Sequence, residues 1–404
     1  MTTPAQALQA ILDAAPLLPA RSLALERCRG EILRETLVTD RPMPPFDRVA
    51  MDGFAIQSAG FTGSARMEGM CPAGAPQAAL TDPRNALEVM TGAMLPIGCD
   101  TVIPVEWVRR ETHRMTLREG QSWTPGQFLH RTGSDLPEGA PILGPGTRLL
   151  APHIAIAATL GKLQLAVSTR PRIALVTTGD EIVPVSATPL PHQIRASNPH
   201  ALAASLQLAG FDAPGHVHLR DDRPALESGL RTALGSCDVL LITGGVSAGA
   251  FDFIPEILPR TGAQILFHKV EQRPGRPLLF AKGQEGQLVF GLPGNPLSCL
   301  VCLHRYVLPA LFHMMAAPLR ARPVTLGPGF ASDDHLTIFK LVRVEDGSAT
   351  PLHNSGSGDL ATPALSDGFV ELPPGLPVAE GGRAAFFAWA YPGAWVSTFV
   401  RRET

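Results

Sequence analysis

A chain of 404 residues is too long for one ordinary domain, and the length points to two to four. Its residues are 45% apolar and 17% charged, which excludes a disordered chain and leaves enough apolar material for several cores. A net charge of −2 excludes a global field that attracts nucleic acid or acidic membrane, so any anion must be met by a local patch.

The N-terminal stretch has no basic flank and Asp13 interrupts its apolar run, unlike a signal peptide. No stretch reaches about 18 consecutive apolar residues, so no transmembrane helix is expected and the expected compartment is the cytoplasm. Residues 5–17 and 23–38 read as helices, the second from the spacing of Leu25, Cys28, Ile32 and Leu37. The Pro-rich segment 39–55 breaks this periodicity, and short β-like runs between glycines and prolines follow to residue 140. We therefore expect a small β domain over 39–139. Residues 147–161 read as a helix ended by Gly161, and 5–38 with 140–170 form a discontinuous helical or linker domain.

From residue 171 apolar strands alternate with helices. "RIALVTTG", "HVHLRDD", "CDVLLITGG", "GAQILFHKV" and "QLVFGLPG" read as strands. "SNPHALAASLQLAG" reads as a helix capped by Ser197 or Asn198 and stopped by Gly210, and "NPLSCLVCLHRYVLPALF" as a long helix opened by Asn295 and Pro296. Strands apolar throughout imply a mostly parallel sheet covered on both faces, an α/β domain over 171–320. Residues 321–404 return to short β-like runs and read as an all-β module. The expected fold class is thus multidomain α/β plus β.

Ligands of parallel α/β sheets bind beyond the carboxyl ends of the strands. Four loops should meet there: "TTGDEIV" with Asp180 and Glu181, "LRDD" with Asp221 and Asp222, "TGGVSAGAFD" with Gly244, Gly245, Ser247 and Asp252, and "GLPGNP" with Pro293, Asn295 and Pro296. Glycines let a ligand approach the backbone, and a helix start offers N–H donors to an anion. Clustered carboxylates repel one another unless a cation lies between them, and Mg²⁺ is the usual ion beside phosphate. Each loop also has a plainer reading as a turn or a helix cap. Lys269, Arg273 and Arg276 surround a Pro-Gly turn, either as a solvated hairpin or as an oxyanion clamp. His216 and His218 alternate on one strand face and read as structural. Cys299 and Cys302 lie inside the long helix without a second ligand pair and read as core thiols. "GVSAG" matches a hydrolase nucleophile elbow, but the downstream histidines sit in a strand or a long helix.

Eight motifs in order, "PPFDRVAMDGFA", "MTGAMLPIGCDTVIPVE", "GSDLPEGA", "TTGDEIV", "SNPHAL", "TGGVSAGAFDF", "RPGRP" and "GLPGNPLSC", resemble the molybdopterin molybdenumtransferase family, which includes the C-terminal part of gephyrin. The resemblance implies a four-domain homodimer. It would insert molybdate, its substrate, into adenylylated molybdopterin with Mg²⁺, and release molybdenum cofactor and AMP. Implied partners are the preceding molybdopterin adenylyltransferase and the acceptor molybdoenzymes, with no nucleic acid and no membrane. It implies that Asp52, Thr91 and Asp135 reach the cleft from the small β domain of a partner subunit. Glu181, Asp221 and Asp252 would form the acidic, metal-holding set. Gly244, Gly245, Ser247, Lys269, Arg273, Arg276, Pro293, Asn295, Pro296 and Ser357 would bind substrate. Arg273 and Arg276 stand where the family often has lysine, and Lys340 where arginine is expected. The adenylyltransferase itself lacks the first two motifs, and a scaffold role would need a receptor groove.

Overall fold

The computed structural model describes residues 2–246, 252–317, 319, 321–375 and 379–390. Its contacts divide into two compact units, one of residues 2–35, 144–155 and 162–390, the other of 36–143 and 156–161.

The first unit is organised around a six-stranded sheet. Its elements are β1 (Ile173–Thr178), α1 (Asn198–Leu208), β2 (Gly215–Leu219), α2 (Arg223–Leu234), β3 (Val239–Thr243), β4 (Gln264–His268), β5 (Leu279–Lys282), β6 (Leu288–Leu292) and α3 (Pro296–Met314). The strand order is β2-β1-β3-β6-β5-β4. β2, β1, β3 and β6 pair in parallel, while β5 runs antiparallel to both neighbours. The mostly parallel sheet is therefore as expected, and β5 is an addition. Every residue of β3 and β6 is buried because helices cover both faces. Leu175, Leu241 and Phe290 pack with α1, α3 and the N-terminal helix Pro4–Ala14. Val176, Leu240, Ile242 and Val289 point the other way, toward Leu226 and Leu230 of α2 and toward Ile254 and Ile257.

Local signals explain the helix ends. Asp222 accepts the Ala225 N–H at 3.0 Å and caps α2. Ser197 occupies the N-cap of α1 without a side-chain capping bond, and Gly210 follows with φ +93°. In α3 the turn Leu303–Val307 is π-helical. By length and composition α3 is the one helix among the described residues that could cross a membrane, but it is mostly buried as the core helix of this unit.

The expected helix 23–38 is absent. Ala20–Ala24 is a strand antiparallel to Gln164–Ser168, followed by a short 3₁₀ turn, Leu25–Arg27. Gly30, at φ +83°, ends any helical run, and Ile32 and Leu33 are buried instead by bridges to Arg148 and Val167. The helix expected over 147–161 spans Ala151–Thr159, and Gly161 follows it at φ +70°.

Strands Arg322–Leu326, Thr337–Glu345, Ser348–Pro351, Gly368–Leu372 and Arg383–Ala388 close into a small barrel filled by Val324, Leu326, Val342, Val370 and Leu372. The two-residue strand Gln272–Arg273 adds to its edge beside Thr337 and Ile338. Outside the barrel, Phe339, Leu341 and Phe369 pack on Leu297 and Val301 of α3. The second unit carries its own six-stranded sheet, with Phe54, Ile56, Ile103 and Met115 in one core and Val49, Ala55, Val89 and Val102 in another.

Candidate active site

The parallel strands bring the loops after β1, β3 and β6 to one edge, where they line an open cleft of about 1720 Å³. The barrel contributes its other wall, through residues 329–340 and 354–360. Gly244 (φ +90°) and Gly245 (φ +68°) form the turn after β3. A Cβ at Gly244 would lie 2.8 Å from the Thr178 carbonyl oxygen, and one at Gly245 2.9 Å from Ile254 Cγ1. The packing of neighbouring loops thus requires glycine here, in addition to any ligand that approaches. Ser247 lies outside the described residues.

The acidic residues divide. Glu181 and Asp252 line the cleft. Glu181 folds back over Gly179, whose φ is +129° and where a Cβ would come within 2.7 Å of the Glu181 carboxylate. Asp221 is not among the lining residues; it is half-buried, and its N–H approaches Asp180 Oδ1 at 3.4 Å. Burial first, and then the charges of Asp180 and Glu181, raise the Asp221 carboxyl above the ordinary range. Among the described residues, no group of three or more His, Cys, Asp or Glu is arranged to hold a metal ion.

The cations of the cleft are Arg195, Arg273, Arg276 and Lys340. Arg273 Nη2 donates to Asp333 Oδ2 at 2.6 Å. Backbone N–H groups of His335 and Leu336, with Arg273 beyond them, hold the Asp333 carboxyl below its usual range. Lys269 does not line the cleft; it takes φ +74° and its N–H bonds the Leu278 carbonyl at 2.9 Å. Pro293, Asn295 and Pro296 form the lip at the start of α3. Asn295 Nδ2 donates to Ser357 Oγ at 2.8 Å, and the Leu297 N–H to the Ser357 carbonyl at 3.2 Å, so the barrel loop is tied to this lip. Asn198 Nδ2 fastens it from the other side through the Gly294 carbonyl at 2.8 Å.

In the second unit Asp52 Oδ1 accepts both the Thr91 N–H at 2.7 Å and its hydroxyl at 2.6 Å. These bonds, the hydroxyl first, hold the Asp52 carboxyl below its usual range. Asp135 is exposed, with its N–H on the Met43 carbonyl at 2.9 Å.

The structural readings of His216, His218, Cys299 and Cys302 fit their surroundings. The Thr177 hydroxyl lies 3.0 Å from a ring nitrogen of each histidine, and both thiols are buried with burial pushing them up. For the hydrolase reading, His268 Nε2 is bonded to the Val246 carbonyl at 2.8 Å, and burial holds His304 neutral with its pKa lowered to about 3. Arg195, Asp333 and Gln272 were not foreseen in the cleft. They sit in two-residue strands or in an aperiodic loop, where sequence offers no spacing to read.

Three family models match in sequence: MoeA N-terminal region (domain I and II) over residues 2–161, probable molybdopterin binding domain over 174–313, and MoeA C-terminal region (domain IV) over 323–387. A molybdopterin molybdenumtransferase of Synechocystis is 37% identical over 370 residues, covering 89% of this chain and 93% of its own. The chain belongs to the molybdopterin molybdenumtransferase family. A family member from Bacillus subtilis is 31% identical over 378 residues, covering 89% of this chain and 87% of its own. The crystal structure of a molybdopterin biosynthesis moeA protein from Pyrococcus horikoshii matches with a TM-score of 0.80 at 26% identity, over 96% of this chain and 100% of that one. As an enzyme of this family the chain acts in molybdenum cofactor biosynthesis.

Proposed function

We propose that the chain inserts molybdate into adenylylated molybdopterin and releases molybdenum cofactor and AMP. The observation that carries this reading is one cleft that joins a glycine turn, a helix start, three carboxylates (Glu181, Asp252 and the Arg273-paired Asp333) and four cations. A flat pterin with phosphate and adenylate needs close backbone approach and anion donors, which Gly244, Gly245 and the Asn295–Pro296 lip offer. Molybdate is a tetrahedral dianion, and Arg273 and Arg276 flank a turn that opens on the same space. Ser357 completes that pocket from the barrel, and Lys269 and Ser247 belong to the same assignment. The residues act by positioning: the arginines hold the oxyanion against the substrate and offset charge as the phosphoanhydride is cleaved, while Asp252 orients the substrate.

Mg²⁺ fits the donor set, which is all carboxylate, and Mg²⁺ is commonly held by one or two carboxylates with phosphate and water completing the shell. Glu181 and Asp252 would hold it, with Asp221 behind them, and it would supply charge neutralisation at the phosphates. The proposal includes the four-part division into 5–38 with 140–170, 39–139, 171–320 and 321–404. It also includes a cytoplasmic homodimer in which Asp52, Thr91 and Asp135 serve the same substrate. Upstream adenylyltransferase and downstream molybdoenzymes are its partners. The test is AMP release from adenylylated molybdopterin, with and without molybdate and Mg²⁺, alongside activation of a metal-free molybdoenzyme. Release that depends on both, with activation, supports the reading; neither release nor activation by folded protein overturns it.

A further inference from the structure

Beneath the Arg273–Arg276 turn runs a short polar chain in the core. Tyr306, Gln272 and Cys302 are each fully buried. The Tyr306 hydroxyl donates to Gln272 Oε1, Gln272 Nε2 donates to Cys302 Sγ at 3.7 Å, and Cys302 Sγ reaches the Gly275 carbonyl at 3.8 Å. Burying an amide and a phenol in an apolar core is costly unless both are bonded, and here each satisfies the other. Burial also raises the Tyr306 phenol far above its usual range, so it remains a donor.

The chain touches the turn directly. Gly275 stands at φ +92°, and a Cβ there would lie 2.6 Å from Gln272 Nε2 and 2.7 Å from Cys302 Sγ. The turn is thus seated on the two side chains with no space between. Tyr306 comes from the π-helical turn of α3, which widens the helix and shifts the side chains that follow. Gln272 is itself a lining residue and immediately precedes Arg273.

We infer that Tyr306, Gln272 and Cys302 are positioning residues that set where Arg273 and Arg276 present their guanidinium groups, and so set the affinity of the cleft for a tetrahedral oxyanion. The inference rests on the proposed reading that these arginines meet molybdate. A guanidinium offers donors in a rigid planar fork, whereas a lysine swings a point charge on a flexible stem. Two arginines therefore make the position of the turn matter more than two lysines would. Without the Tyr306 hydroxyl, Gln272 Oε1 is left unbonded in the core, and its amide rotates or shifts the turn to find a partner.

The test is calorimetric titration of sodium molybdate into the full-length protein, its Tyr306→Phe and Arg276→Lys variants, and the double variant, with thermal unfolding recorded for each. Tyr306→Phe is expected to weaken molybdate binding roughly three- to tenfold. In the Arg276→Lys background the same change should cost a clearly smaller factor, because only Arg273 then still depends on the turn. Equal losses in both backgrounds mean general loosening and overturn the inference, as does an affinity within twofold of wild type. If Tyr306→Phe does not fold, Cys302→Ala takes its place with the same thresholds. Wild-type protein that binds no molybdate overturns the cleft reading and this inference with it, whereas wild-type binding untouched by Tyr306→Phe overturns only the positioning role.

Discussion

At the scale of single residues, the glycine turn after β3 is where fold and function constrain the same atoms. Gly244 needs a positive φ, and any side chain there would meet the Thr178 backbone at 2.8 Å. Gly244→Ala should therefore destabilise the protein by about 1–3 kcal/mol, through backbone strain and displacement of the β1 loop. Urea unfolding checks this, and an unchanged midpoint would show that the turn yields freely. "TGG" at the end of an apolar strand was legible as a turn at the strand's carboxyl end, and it lines the cleft with Glu181 and Asp252, two of the three residues of the expected acidic set. The separation of Asp221 and Lys269 from the lining was not legible. It depends on the half-burial of Asp221 and on a left-handed backbone at Lys269, and neither has a local signature.

At the scale of elements, α3 joins the sheet to the barrel and carries two testable groups. Arg305 and Glu371 pair at 2.8 Å with side-chain exposures of 9% and 17%. Glu371→Gln leaves a nearly buried guanidinium with a neutral partner and should destabilise the unit by about 2–4 kcal/mol, while replacing both residues by methionine should recover much of that loss. Urea midpoints of the single and double variants decide it; a single variant as stable as wild type would mean that the pair contributes nothing. His304 packs edge-on against Trp389, and burial lowers its pKa to about 3. The unfolded chain takes up a proton at this histidine near pH 6.5 and the folded chain does not. Stability is therefore full above that pH and is lost as pH falls toward 3. Between pH 7 and pH 5 this site should account for about 2 kcal/mol of lost stability, and His304→Leu should lose correspondingly less over that interval. Equal slopes in both proteins would contradict it. The helices and strands of the α/β part were readable because long apolar runs and cap residues mark them. The misread segment 23–38 had helical spacing, but Gly30 and pairing with residues 148–168 satisfied its apolar residues another way. β5 was not legible because three apolar residues and a lysine after a Pro-Gly turn carry no period of their own.

At the scale of the whole molecule, the contact pattern explains why no single motif identified the chain. The cleft takes its walls from sheet loops spread between residues 177 and 298 and from barrel loops at 329–340 and 354–360, so its chemistry is dispersed over segments that look like ordinary turns when read singly. Only the order of these segments along the chain makes the family legible in the sequence. Asp252 and the Gly244–Gly245 turn line one cleft together with Arg195, Arg273, Arg276 and Lys340. The most direct test of that arrangement is molybdate-dependent AMP release by Asp252→Asn, compared with wild type at equal fold stability. Asp252→Asn keeps the side-chain shape and removes the charge, and the account predicts a loss of about 100-fold or more in the rate of AMP release with an unchanged unfolding midpoint. A variant that releases AMP at the wild-type rate would contradict the role given to Asp252 and the cleft reading built on it.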